Sequence, residues 1–120
     1  MHSVCMGGGL ELALGCHYRI AAPGTSVALP EVKLGLIPGA GGTQRLLRQI
    51  PLCKAKELMF TGDWIDAQQA VSLGIANRVV PRATLMDEAL AFAADIQVAI
   101  LAKGFSALIG AAASDGRAAF

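Results

Sequence analysis

Two carboxylates in this chain, Glu11 and Glu31, stand where side chains do chemistry rather than decorate a surface. The first closes the run Met6-Gly7-Gly8-Gly9-Leu10-Glu11 and is followed by Leu12-Ala13-Leu14-Gly15; the second follows Pro30. Consecutive glycines strip the Cβ atoms from a turn, so a ligand can come close to the backbone and positive φ carries no steric penalty. Leu10 to Leu14 are good helix formers, which places the glycines where a short strand turns into a helix. A helix start leaves amides unpaired and favours negative charge, a setting suited to a developing oxyanion. Glu11 lies in the first turn, within reach of anything held there. A plainer reading also fits: a tight connection followed by a surface acid that the helix dipole favours. A nucleotide loop does not fit. No Gly-Lys-Ser/Thr follows the glycines, and Gln44 stands where a G-x-G-x-x-G register begun at Gly39 would need its last glycine.

The elements that must position these groups are short. Ser3 to Met6 is expected to be a buried strand, with a helix from Gly9 to about Leu14. Tyr18 to Ala22 and Ser26 to Leu29 are further strand candidates, the first ended by Pro23-Gly24 and the second by Pro30. Glu31 is then presented just past a strand end, in a loop or a single turn. Gly35 and Pro38 break any helix there. Thr43 is a candidate N-cap for a helix with Leu46, Leu47 and Ile50 on one face. Pro51 permits a new helix from Leu52 to Thr61, stopped by Gly62. Trp64-Ile65 is extended, Asp66 caps a helix through Leu73, and Ala76 to Val80 is a last strand. Thr84, with Asp87 and Glu88 behind it, opens a long helix. Residues 89 to 113 are alanine-rich, and charges interrupt a run that would otherwise approach the ~20 apolar residues of a membrane span, so a buried or amphipathic helix is expected. Gly110 to Phe120 reads as frayed.

Bulk properties narrow the function. The 120 residues allow one small domain, and 54% hydrophobic against 16% charged is more apolar surface than a small monomer easily hides. That suggests a piece of something larger, or a subunit. Net charge is +1 with scattered Lys and Arg, which offers no footprint for nucleic acid. Cys5, Cys16 and Cys53 form neither a disulfide framework nor a zinc pattern, and His2 and His17 have no ligand-like company. A reducing compartment and no secretory signal are expected.

The block around Gly7 to Ala13, and then Leu29-Pro30-Glu31-Val32-Lys33-Leu34-Gly35-Leu36-Ile37-Pro38-Gly39-Ala40-Gly41-Gly42-Thr43-Gln44-Arg45-Leu46, resembles the crotonase superfamily, specifically enoyl-CoA hydratases. The wording is nearest the hydratase part of multifunctional fatty-acid-oxidation enzymes. Phe60-Thr61-Gly62, Gly74-Ile75-Ala76 and Val79-Val80-Pro81 continue it, so residues 1–95 read as a partial crotonase-like core and 96–120 as an unassigned alanine-rich tail. The resemblance implies an α/β fold of ββα units wound into a spiral, here incomplete and ending in C-terminal helices. It implies a trimer or one part of a larger chain, in bacterial cytoplasm or an organellar matrix. The substrate is an acyl-CoA thioester, with coenzyme A part of the substrate, and neither a cofactor nor a metal is called for.

By the same resemblance Glu11 and Glu31 are the acid/base pair and the Gly8 amide is an oxyanion donor. Gly7, Gly39 and Pro30 line the substrate site. Hydration of a 2-enoyl thioester delivers water to the β-carbon and a proton to the α-carbon, which two carboxyls facing one water can do. Family isomerases commonly lack the acid at the Glu11 position, so having both favours hydratase over 3,2-enoyl-CoA isomerase. The family's fold normally begins before a segment of this kind and supplies the other oxyanion donor from there. The chain is therefore expected to be a fragment with little activity alone. A non-catalytic piece that folds only with a partner is the remaining alternative.

Overall fold

The computed structural model describes residues 1–103. It divides into a unit of Met1–Leu85 and a second that begins at Met86, and each is taken by itself. The class is α/β, as expected.

Within the first unit, strand β1 (Val4–Met6) passes through Gly7 into helix α1 (Gly8–Leu14). Strand β2 is Ile20–Ala21 and β3 is Ser26–Ala28. Pro30 starts a 3-10 turn, Pro30–Leu34, which Gly35 closes at φ 72°. Helices α2 (Gly42–Gln49) and α3 (Leu52–Thr61) follow, then β4 (Ile65–Asp66), α4 (Ala67–Leu73) and β5 (Arg78–Val79). β1 and β3 pair in parallel with Met6 opposite Ala28, and β4 joins β3 antiparallel. A separate parallel pair joins β2 to β5.

The strands are shorter than their sequence runs, and β1 departs from expectation in another way. Only Cys5 faces the core; Val4 and Met6 are exposed. A pleated strand turns successive side chains to opposite faces, so an apolar run need not be buried on both. Bonds from the Asn77 amide to the Arg19 carbonyl and from the Val80 amide to the Ala21 carbonyl carry the β2–β5 pairing past the two-residue strands.

The core is built where α1 packs against α2 and beside β1: Leu10, Leu14, Val27, Leu29, Leu46 and Ile75 are fully buried. On α2, Leu46 and Ile50 are buried and Leu47 packs against them, the face expected from their spacing. The expected cap is different. Gly41, at φ 107°, is the N-cap, and Thr43 lies inside the first turn without a capping bond. The work of a cap is done from outside the helix, by the carboxylate described below.

Helix α4 carries its own cap. Asp66 accepts from the Gln69 amide at 2.8 Å, and the Gln69 side chain accepts from the Asp66 amide at 3.0 Å, a complete capping box. We expect Asp66→Ala to destabilise the fold by about 1 kcal/mol, read as a lowered urea midpoint at constant m-value.

The three thiols differ. Cys5 is buried, and burial pushes its thiol above the ordinary cysteine range, whereas Cys16 and Cys53 are exposed. A raised value means less thiolate at any given pH. At mildly alkaline pH a disulfide reagent should therefore titrate two thiols quickly, and the third only as the chain unfolds.

Helix α5 spans Leu85–Lys103, after a 3-10 turn at Arg82–Thr84. Met86, Leu90, Val98 and Leu101 are exposed, so the described part is neither a buried helix nor one with a single apolar stripe. No helix among the described residues is long and apolar enough to cross a membrane. The frayed segment expected at 110–120 lies outside the described residues.

Candidate active site

The register of β1 against β3 brings the segments that carry the two acids to one end of the sheet. Met6 and Ala28 are partners in a parallel pair. The chain thus leaves both strands at the same end, some 4.8 Å apart. One exit becomes Gly7 and α1 with Glu11; the other becomes Leu29 and the Pro30 turn with Glu31. The carboxyl ends of neighbouring parallel strands are where α/β sheets commonly place ligands.

Gly7 is the joint. It has φ 51°, and its amide donates to the Ala28 carbonyl at 3.0 Å. Its carbonyl accepts the Glu11 amide at 2.9 Å, which starts the helix. A Cβ on Gly7 would stand 3.1 Å from Glu31 Oε1, so both φ and the neighbouring carboxyl call for glycine. Because the Gly7 amide is spent on the sheet, the amides left without an acceptor inside the helix are those of Gly8, Gly9 and Leu10. Gly8 is exposed at this point.

Glu11 is 2% exposed, rare for a carboxylate without a paired cation. Its Oε1 accepts the Ala40 amide at 2.9 Å and the Gly42 amide at 2.8 Å. The acid of α1 thereby caps the start of α2, where helix polarity favours an anion. Gly42 must lack a side chain for this: a Cβ there would stand 2.9 Å from both Glu11 Oε1 and Pro38 Cβ. Glu31 is half-buried on the other flank of Gly7. Its Oε2 is buried with no hydrogen-bond partner. Leaving a buried polar atom unpaired costs about 1–3 kcal/mol, so such an atom needs a reason.

Gly39 is an exposed loop position directly before Ala40, and Pro30 sets the start of the turn that carries Glu31. Just past Glu31, Val32, Leu36, Ile37, Leu47, Met59 and Phe60 line an apolar groove of about 300 Å³. Among the described residues no cluster of His, Cys, Asp or Glu could hold a metal. His2 and His17 are exposed.

Sequence reasoning missed the tether. The run Gly39-Ala40-Gly41-Gly42 reads as a loop leading into a helix, and its use as a carboxylate cradle was not drawn from it. The signal was there: two adjacent glycines before a helix allow a positive φ at one and a close approach at the other.

Glycine-lined amides at a helix start thus stand beside two acids carried just past the ends of adjacent parallel strands. The chain belongs to the enoyl-CoA hydratase/isomerase family, whose model matches residues 1–112. That match runs beyond the residue-95 limit of the motifs read from sequence. A fatty acid oxidation complex subunit alpha of Shewanella amazonensis is 50% identical over 95 residues, 78% of this chain and 14% of that protein. A solved enoyl-CoA hydratase of Bacillus anthracis is 48% identical with TM-score 0.76, covering 78% of this chain and 36% of that one. A carnitinyl-CoA dehydratase of Mycobacterium avium is 41% identical, also at TM-score 0.76, covering 79% and 37%. The fold is accordingly a partial crotonase fold, and the chain spans a seventh of the curated relative and little over a third of those solved chains.

Proposed function

We propose that residues 1–95 carry the acid–base half of an enoyl-CoA hydratase acting on 2-enoyl-CoA thioesters in fatty acid β-oxidation, with 96–120 a separate segment. The observation that carries this is the asymmetry of the two acids. Glu11 is fixed by two loop amides through one oxygen, while Glu31 keeps a buried oxygen with no protein partner. Such a pair suits a water held between them. Its oxygen adds to the β-carbon as one carboxyl takes its proton, and the other carboxyl gives a proton to the α-carbon. The Gly8 amide would meet the charge that gathers on the thioester oxygen, each donor of this kind contributing ~3–4 kcal/mol. Gly7 and Pro30 shape the two sides, and Gly39 lines the approach. The apolar groove past Glu31 suits an acyl chain.

Coenzyme A enters as part of the substrate and no cofactor is assigned. The working form is a trimer or part of a larger multifunctional chain, in bacterial cytoplasm or an organellar matrix. The second reading, a 3,2-enoyl-CoA isomerase, needs one acid. It is less favoured because Glu11 is present and held in place by two backbone amides. The test is a graft: residues 1–95 replace the aligned segment of the Shewanella subunit, and loss of the crotonyl-CoA enoyl absorbance is followed. The graft should hydrate, and the 120-residue chain alone should show little turnover. A folded but inactive graft would sink the assignment.

A further inference from the structure

Arg45 takes no part in the acid–base scheme above, yet it holds both segments that make it. It stands on α2, one turn beyond Gly41, and its Nη1 donates to the Ala40 carbonyl at 2.8 Å and to the Glu11 carbonyl at 3.2 Å. The guanidinium also lies close over Gly41, where a Cβ would run into it, and its Nε would be 3.7 Å from a Cβ on Gly15. One cation thus spans the first turn of α2, the glycine loop and α1 from Glu11 toward its C-terminal end. Ala40 is gripped on both sides: its amide by the Glu11 carboxylate, its carbonyl by Arg45.

We propose that Arg45 is a positioning residue for Glu11. By pinning Ala40 to the backbone of Glu11, it keeps the Ala40 amide on Glu11 Oε1 and so fixes which carboxylate oxygen is left for the reacting water. This rests on the reading of Glu11 as half of the acid/base pair. Both bonds come from one nitrogen, Nη1, at the tip of the side chain, and the guanidinium lies over a residue without a side chain; a lysine ammonium sits on a shorter stem and ends short of that position. Gly41 is glycine on two counts, its positive φ and the guanidinium above it.

The test reads the amides of Ala40 and Gly42 by NMR in the 120-residue chain, with Arg45→Gln and Arg45→Lys beside Glu11→Ala. Both arginine variants should move the Ala40 amide proton upfield and speed its hydrogen exchange about tenfold, with the Val27 amide in the sheet unchanged. The double variant Glu11→Ala/Arg45→Gln should exchange no faster at Ala40 than the worse single variant, because both act on one linkage. An Ala40 amide unmoved in both arginine variants overturns the proposal. So does loss of Val27 protection in both, which would make Arg45 a residue of the fold at large. If instead Glu11→Ala leaves the Ala40 and Gly42 amides unmoved while Arg45→Gln shifts Ala40, Arg45 acts on the loop and not on Glu11, and the proposal is overturned.

Discussion

In the graft described above, Glu31→Gln should lower crotonyl-CoA hydration by about 10²–10⁴-fold, the range for losing one positioned acid–base group. Glu11→Gln should fall in the same range, yet the two should part company in stability. The Glu31 oxygen without a partner contributes nothing to the fold as it stands. Replacing the carboxyl by an amide there should leave the unfolding midpoint unchanged or raise it, the pattern expected where function holds a group in a costly setting. Glu11 is different because its Oε1 is the acceptor for two amides, Gly42 buried and Ala40 partly so. A glutamine keeps an oxygen for them; an alanine leaves both unpaired, and Glu11→Ala should cost about 1–3 kcal/mol for each. The informative comparison is therefore Gln against Ala at Glu11, and Gln against wild type at Glu31. A Glu31→Gln variant that loses stability and keeps turnover would reverse the assignment of roles.

How much of this was legible depended on whether the determining contacts were local. Helix α3 fell where Pro51 and Gly62 said it would, because a proline and a left-handed glycine act on their own neighbours. The α4 cap at Asp66 was equally local. Strand lengths were not, since a strand is as long as its partner permits, and Tyr18 and Ala22 show nothing of what lies opposite. Thr43 failed as a cap for the same reason. Its type was right for the task, but a carboxylate thirty-odd residues upstream had already taken the Gly42 amide. The two acids were visible as residues in suggestive settings. That they issue from the same end of adjacent parallel strands follows only from the Met6–Ala28 register, which no window of sequence contains.

Gly42→Ala and Gly9→Ala should act in opposite directions, though both put a methyl group into a helix's first turn. Alanine is the better helix former by roughly 0.5–1 kcal/mol, and at Gly9 nothing lies within 4 Å of the added Cβ, so that gain should appear intact as a raised urea midpoint. At Gly42 the same methyl meets Glu11 Oε1 and Pro38 Cβ at 2.9 Å and Glu11 Cγ at 3.1 Å. Pro38 is buried and its ring cannot swing aside, so the carboxylate must give way. Crowding of this kind costs about 1–3 kcal/mol, more than the helix gain, and the net effect should be destabilising. The displaced group is also half of the proposed acid/base pair. Gly42→Ala in the graft should therefore lower turnover with Glu11 still present, while Gly9→Ala, one residue from the Gly8 donor, is compared with it for stability alone. If Gly42→Ala proves as benign as Gly9→Ala, the loop is free to move off the carboxylate, and the tether that sets apart the two acids does not hold.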